Sequence, residues 1–284
     1  MGDPWADWLL LRRFAGSEEV RREFMEHLTQ VREKVLDNAE IASGEVLLDV
    51  GCGDGLIGFA GLERGARTVV FCDISEELLN ECRTIAADLG MVDRCRFVQA
   101  AAEDLGPIEA ASVDVVTTRS VLIYVEDKRR AFEEFFRVLR PGGRISLFEP
   151  INRLSNFFTT YDVTPVQDVA DRVRAVFERI QPPEDDPMLD FDERDLVDLA
   201  EHAGFTEIYL HLETEVKQPE PRPWETFLRI VGNPKIPSFG EAMNEALTPD
   251  ERDRLTTKLR PLVEAGRGRR RMTSAFLWAV KGEF

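Results

Sequence analysis

Near-continuous apolar strands alternating with amphipathic helices predict an α/β fold. The expected form is a doubly wound, mostly parallel seven-stranded sheet with an N-terminal helical segment and helical cap insertions. Two tight turns support this. In VLLDVGCGDGLIGFAG (46–61) a strand passes into a helix through glycines at 51, 53 and 55, where the chain needs backbone angles that side chains disfavour. LRPGGR (139–144) sets a second turn before the fifth strand.

The elements follow in order. Residues 1–14 carry Trp5, Trp8, Leu9, Leu10, Leu11 and Phe14, more large apolar groups than a free terminus keeps unless it docks. Ser17-Glu18-Glu19 opens a helix with a capping hydroxyl and acids in its first turn. Val20, Phe24, Leu28, Val31 and Val35 give that helix one apolar face, and His27 is read onto it. Strands are expected at 46–50, 68–73, 96–99, 113–118 and 144–149, with helices at 56–64, 76–89 and 128–139 between them. Right-handed crossovers make such a sheet doubly wound. After Pro150 the rhythm loosens. A helix is expected over 166–180, a loop at QPPEDDP (181–187), a helix at 192–203 ended by Gly204, and strands at 205–212 and 272–280. Pro219, Pro221 and Pro223 stiffen the approach to a helical stretch. The expected organisation is an N-terminal helical lid (1–44), a ligand-binding core (45–150), an insertion of helix and strand (151–217), a helical cap (218–268) and a closing strand (269–284).

The 284 residues carry a formal charge of −17. That balance argues against nucleic-acid binding, which needs a basic face to displace counterions. A basic run at Arg267, Arg269, Arg270 and Arg271 reads either as a helix end leading into an edge strand or as an anion site. The cysteines Cys52, Cys72, Cys82 and Cys95 have no C-x-x-C spacing, so no metal site is indicated and reduced thiols in a cytoplasmic setting fit best. No apolar run approaches a membrane span. The oligomeric state stays open, a dimer included.

The glycine turn admits a ligand against bare main chain, and the amides opening the helix favour electron-rich groups. Gly53-x-Gly55-x-x-Gly58 also matches a dinucleotide fingerprint, but the first glycine after the strand is Gly51, and counting from it puts Leu56 at the third fingerprint position. An acid at Asp49 would repel a pyrophosphate and suits a cationic ligand.

LDVGCGDG (48–55), VVFCDIS (69–75), QAAAEDLG (99–106) and TTRSVLIYVED (117–127), in this order, resemble the motifs of the class I S-adenosylmethionine-dependent methyltransferases over roughly 45–150. The resemblance implies the Rossmann-like methyltransferase fold and S-adenosyl-L-methionine as cofactor. It also implies roles. Gly51, Cys52, Gly53 and Gly55 pass beneath the methionine part, and Asp49 orients its amino group. Asp73 accepts bonds from both ribose hydroxyls, and Ile74 lies against the adenine. Ala102, Glu103 and Asp104 form the adenine-contact segment, although the more usual acid is Ala101 here. A backbone carbonyl near Arg119 receives the ammonium. Many relatives carry histidine where this chain has Ile123.

The implied reaction is an in-line displacement that moves a methyl group to an O, N or C atom of a small, partly apolar metabolite, as in a biosynthetic pathway. Residues 1–38, the segment after Glu149 and 218–268 are expected to cover the acceptor. Glu149, Tyr124 and His27 are the catalytic candidates; Glu149 reads equally as a capped strand end bonded to the next loop. His202 and His211 have no functional reading. Trp5, Trp8, Phe14, Phe157, Phe158, Tyr161, Trp224 and Phe227 are candidates for an aromatic pocket. The alternatives are a cofactor-binding protein without transfer activity and a nicotinamide-dependent oxidoreductase.

Overall fold

The computed structural model describes residues 3–155 and 161–283; the aromatic candidates Phe157 and Phe158 lie outside the described residues. The chain packs into two compact units. One comprises Met25–Ile151, Phe191–Glu213 and Ser274–Phe284, and the other Met1–Phe24, Asn152–Asp190 and Thr214–Thr273. Residues 191–213, expected within one insertion, thus belong with the sheet, while 152–190 group with the N-terminus and the helices near the C-terminus.

The strands are β1 (Val46–Val50), β2 (Thr68–Asp73), β3 (Cys95–Gln99), β4 (Val113–Arg119), β5 (Leu139–Pro150), β6 (Phe205–Lys217) and β7 (Arg270–Lys281). They form one sheet in the order β3-β2-β1-β4-β5-β7-β6. β1 pairs in parallel with β2 and β4, and β7 runs antiparallel to β5, with Leu147 opposite Leu277. The order reverses between β1 and β4, where open α/β sheets leave a ligand crevice beyond the carboxyl ends of the strands. β5 is longer than expected because the Pro141-Gly142-Gly143 turn stays within its span. β6 runs to Lys217, five residues past the expected end, as an exposed continuation.

The helices of this unit are α2 (Glu18–Ala39), which begins in the other unit, α3 (Leu56–Glu63), α4 (Glu76–Asp88), α5 (Lys128–Val138) and α7 (Glu193–Ala203); α1 (Pro4–Asp7) precedes them in the chain. Caps fix several starts. Ser75 accepts from the Leu78 amide at α4, Asp127 from the Arg130 amide at α5, and Asp192 and Asp195 form a reciprocal box at α7. The sheet core is built mainly of apolar side chains, of which Leu47, Val69, Phe71, Leu79 and Val115 have no exposed surface. Phe71 sits between Phe59 and Phe97, at 4.8 and 5.5 Å between ring centroids. Val31, Val35 and Leu36 of α2 pack on Ile57, Ala60, Phe148 and Phe276. That is the apolar face read from the sequence, but His27 is exposed and not part of it.

The second unit contains α6 (Gln167–Ile180), α8 (Trp224–Arg229), α9 (Phe239–Ala246) and α10 (Pro249–Glu264). Its core joins Val169, Val173 and Phe177 to Trp224, Met243, Leu255 and Leu259, with Tyr161 and Phe227 packed against it. The N-terminus docks here: the Trp8 indole donates to the Val231 carbonyl at 2.8 Å, and Arg12 pairs with Glu241. Leu9 is buried, whereas Leu10 and Leu11 face solvent. Trp224 and Phe227 are stacked within the core at 5.6 Å, so in this unit they are packing residues. Among the described residues no helix is long and apolar enough to cross a membrane.

Candidate functional site

Most of the sequence-predicted binding residues come together along one edge of the sheet unit, at the carboxyl ends of β1, β2, β3 and β4. The turn after β1 puts Gly51, Gly53 and Gly55 at φ values of 64°, 55° and 81°, the left-handed region that glycine enters without penalty. Two acids organise this edge. Asp73, ending β2, accepts from the Gly53 amide at 2.9 Å and from the Ser75 amide at 3.0 Å. It therefore ties the glycine turn to the start of α4.

Asp49 is buried within β1. It accepts from the Gly58 amide at 3.0 Å and from the Thr117 hydroxyl at 3.0 Å, so it joins the first turn of α3 to β4. Burial pushes its carboxyl up to about 7 against the pull of those two hydrogen bonds. Thr117 was not singled out from the sequence; a threonine late in an apolar strand is an ordinary residue there.

Glu149, at the end of β5, is wholly buried. One carboxyl oxygen accepts from the Val121 and Leu122 amides at 2.9 and 3.0 Å, and the other from the Ile123 amide at 3.4 Å. The loop after β4 is thus hung from the next strand, the geometry of the capped-strand reading. Burial raises this carboxyl to about 7, opposed first by the Leu122 amide. The same loop closes over the glycine turn: a β-carbon built on Gly51 would lie 2.3 Å from Val121 Cγ2. Ser120, just before it, holds φ at 56°, a strained value for a residue other than glycine. Its amide donates to the Phe148 carbonyl at 2.8 Å.

The segment after β3 is held from α5. Glu134 accepts from the Leu105 amide at 2.9 Å, and Arg137 donates to the Leu105 and Ile108 carbonyls at 2.9 Å each while pairing with Glu134. This clamp fixes the stretch that follows Ala102, Glu103 and Asp104. Nothing in KRRAFEEFFR distinguishes Glu134 and Arg137 from solvated helix charges; their three-residue spacing was the one available signal. Ile74 stands 47 % exposed at the end of β2, an apolar surface offered at the rim. Tyr124 and Arg119 are half-buried in the loop region. Cys52 is buried, its thiol raised by the neighbouring Cys82 sulfur and then by burial, which makes it a poor nucleophile. His27 lies on α2, outside this constellation.

A family model described as a methyltransferase domain matches residues 48–147. The ubiquinone/menaquinone biosynthesis C-methyltransferase of Haemophilus ducreyi is 31 % identical over 189 residues, which cover 61 % of this chain and 69 % of that one. The chain belongs to the class I S-adenosylmethionine-dependent methyltransferases. It is an enzyme of methyl transfer, with S-adenosylmethionine as its cofactor. The tRNA 5-carboxymethoxyuridine methyltransferase of Escherichia coli K12 is 34 % identical over 101 residues, 36 % of this chain and 38 % of that one, so with this relative the likeness spans little more than a third of either protein. In fold, the chain is similar to a geranyl diphosphate methyltransferase solved with S-adenosylmethionine (TM-score 0.54, 17 % identity, 94 % of this chain and 92 % of that one).

The residues present fit that cofactor. A glycine turn in the left-handed region carries no side chains of its own at 51, 53 and 55, an acid closes the end of β2, and an exposed isoleucine adjoins it. A carboxylate beside this turn would oppose a pyrophosphate and tolerates a sulfonium nucleoside.

Proposed function

We propose that this methyltransferase acts on a small, partly apolar metabolite and that the edge described above holds the cofactor. The observation that carries the site reading is the hydrogen bond between Asp73 and the Gly53 amide, because it sets an acid against the bare turn. S-adenosylmethionine supplies an already activated methyl group on its sulfonium. The chain's own work is then to bind and align. Asp73 accepts the ribose hydroxyls, and Ile74 packs on the adenine. Ala102, Glu103 and Asp104 edge the adenine, held in place by Glu134 and Arg137. The main chain of Gly51, Cys52, Gly53 and Gly55 underlies the amino-acid part, and the carbonyl near Arg119 takes its ammonium. Asp49 acts through the turn by fixing α3.

Aligning acceptor and methyl donor accounts for roughly 7–11 kcal/mol as effective molarity, so a general base is a smaller part of the rate. Glu149 is assigned here as a positioning residue for the 121–123 loop, which leaves Tyr124, in the loop after β4, as the orienting candidate. His27, exposed on α2, is the weaker candidate for a base. The charge of −17 supports a metabolite over a nucleic acid, as does the quinone-pathway relative. The free thiols suit a reducing cytoplasm.

Two experiments test this reading. Asp73→Ala is expected to weaken S-adenosylhomocysteine binding at least about tenfold, the loss of charge-assisted hydrogen bonds; calorimetry reads it, and unchanged affinity removes the ribose assignment. Methyl-labelled cofactor incubated with a panel of small phenolic and isoprenoid acceptors, and separately with total tRNA, is expected to label the small molecules alone. Labelled tRNA with an unlabelled panel contradicts the acceptor class.

A further inference from the structure

The sheet ends on β6, an unbroken strand of 13 residues with no glycine or proline in it. β7 holds one side of it: Tyr209 stacks on Trp278 at 5.3 Å between centroids, and the Thr214 and Thr273 hydroxyls meet at 3.1 Å. The other side is open. Among the described residues no loop main chain hydrogen-bonds to the main chain of 206–217. Tyr209, Leu212 and Val216 are 48, 37 and 44 % exposed. An edge of this length is ordinarily shortened, bulged, broken by proline or covered, because its free amides and carbonyls template another strand.

The side chains of β6 divide by position. Odd positions carry every charge, Glu207, Glu213, Glu215 and Lys217, with His211 among them; even positions carry none and are aliphatic or threonine. When two copies of one strand pair antiparallel about a two-fold axis, residues equally far from the axis face each other, and every contact occurs twice. Like charges directly opposite destabilise such a pair, and this criterion selects the register. Of the centres from 210 to 214, all but Leu212 set glutamate against glutamate. A centre at Leu212 sets Glu207 opposite Lys217 and His211 opposite Glu213, while Ile208 faces Val216 and Leu212 faces itself. A centre at Tyr209 also avoids the clash, but it pairs only 205–213, whereas Leu212 pairs 207–217. Lys217 is held in its own chain only by Glu215, at 2.9 Å, an exposed pair that contributes little and leaves the ammonium able to turn to a second copy.

We propose that β6 is a self-pairing edge: a second copy of this chain adds its own β6 antiparallel, about a two-fold axis at Leu212, and joins the two seven-stranded sheets into one. Pairing 207–217 makes about ten main-chain hydrogen bonds, covers Leu212 and Val216, and answers each Glu207 with a Lys217. The main chain supplies the affinity and the charges fix the register. β6 stands three strands from β4 in the sheet order, so the pairing leaves the glycine turn and Asp73 untouched.

Sedimentation velocity on the full chain over a concentration series tests it, at about 0.15 M salt so that the net charge of −17 is screened. The wild type is expected to pass from monomer to dimer as concentration rises. Leu212→Lys sets two ammonium groups against each other at the axis and is expected to raise the dissociation constant at least about tenfold. Glu207→Lys and Lys217→Glu are each expected to weaken the dimer at least about fivefold, because like charges then face each other twice. The double variant exchanges the two charges and is expected to recover the wild-type constant, which separates a broken register from a misfolded chain. Leu89→Lys, exposed after α4, is expected to leave the dimer unchanged, and S-adenosylhomocysteine affinity is expected to be the same in every variant. A wild type that stays monomeric throughout overturns the proposal, as does a dimer indifferent to Leu212→Lys. Failure of the double variant to recover overturns it as well, since the pairing then does not set Glu207 against Lys217.

Discussion

Gly51→Val is expected to abolish cofactor binding and to lower the melting temperature. Position 51 holds φ at 64°, where a residue with a β-carbon pays about 1–2 kcal/mol and a β-branched one more. Space is the larger obstacle. The new β-carbon would stand 2.3 Å from Val121 Cγ2, a distance real atoms do not reach, so the loop over the turn must move. Overpacking of this kind costs about 1–3 kcal/mol. Because the 121–123 amides are pinned to Glu149, that movement breaks hydrogen bonds as well. Thermal melting and an S-adenosylhomocysteine titration read the two effects. The pair Gly51→Ala with Val121→Ala separates them: removing the valine methyls restores part of the stability lost in Gly51→Ala, while the backbone strain persists. No recovery in the double variant would show that the loop does not close on this glycine.

Glu149→Ala is expected to be nearly as damaging. It leaves the amides of Val121, Leu122 and Ile123 without their acceptor, and each buried unsatisfied donor costs about 1–3 kcal/mol. The loop loses its anchor, so cofactor affinity falls together with stability. Glu149→Gln keeps one acceptor oxygen and is expected to retain more of both; if instead it loses activity while binding and folding stay intact, the carboxylate takes part in the chemistry.

The same residue sets a pH dependence. Burial holds Glu149 at about 7 against an ordinary 4.5, and Asp49 at about 7 against 3.8. The folded state keeps these protons where the unfolded chain releases them, so their contribution to stability is complete below about pH 4 and is lost as pH rises through 7. The melting temperature is therefore expected to fall between pH 5.5 and 8, and Glu149→Gln to flatten that slope. Carboxylates depressed by arginine, Asp192 at about 2 and Glu134 among them, act in the opposite sense only in stronger acid. A melting temperature that climbs from pH 5.5 to 8 would contradict the burial of the two acids.

The sheet was legible because its signals are local. Val46–Val50 is apolar except for Asp49, Val113–Val116 is apolar except for Asp114, and Gly51, Gly53 and Gly55 mark the turn after the first of them. The candidate cofactor edge could be outlined for the same reason, since Asp73 and the glycines stand at the ends of consecutive strands. The restraints behind that edge were not. The reach of Glu149 to Val121 and of Glu134 to Leu105 spans 28 and 29 residues, and no periodicity encodes a pairing that only the tertiary fold creates. Arg267, Arg269, Arg270 and Arg271 read alike in the sequence, and only the fold shows that Arg270 is the one tucked in. His27 illustrates the converse: helical spacing put it on the apolar face, but 3.6-residue periodicity leaves the edge of a stripe undecided, and the side chain is exposed.

Hydrogen–deuterium exchange with and without S-adenosylhomocysteine tests the cofactor edge most directly. The expected result is new protection at 51–55, 73–75, 101–105 and 119–124, with NADH producing none. Protection confined to other segments, or the same pattern raised by NADH and not by S-adenosylhomocysteine, would contradict it.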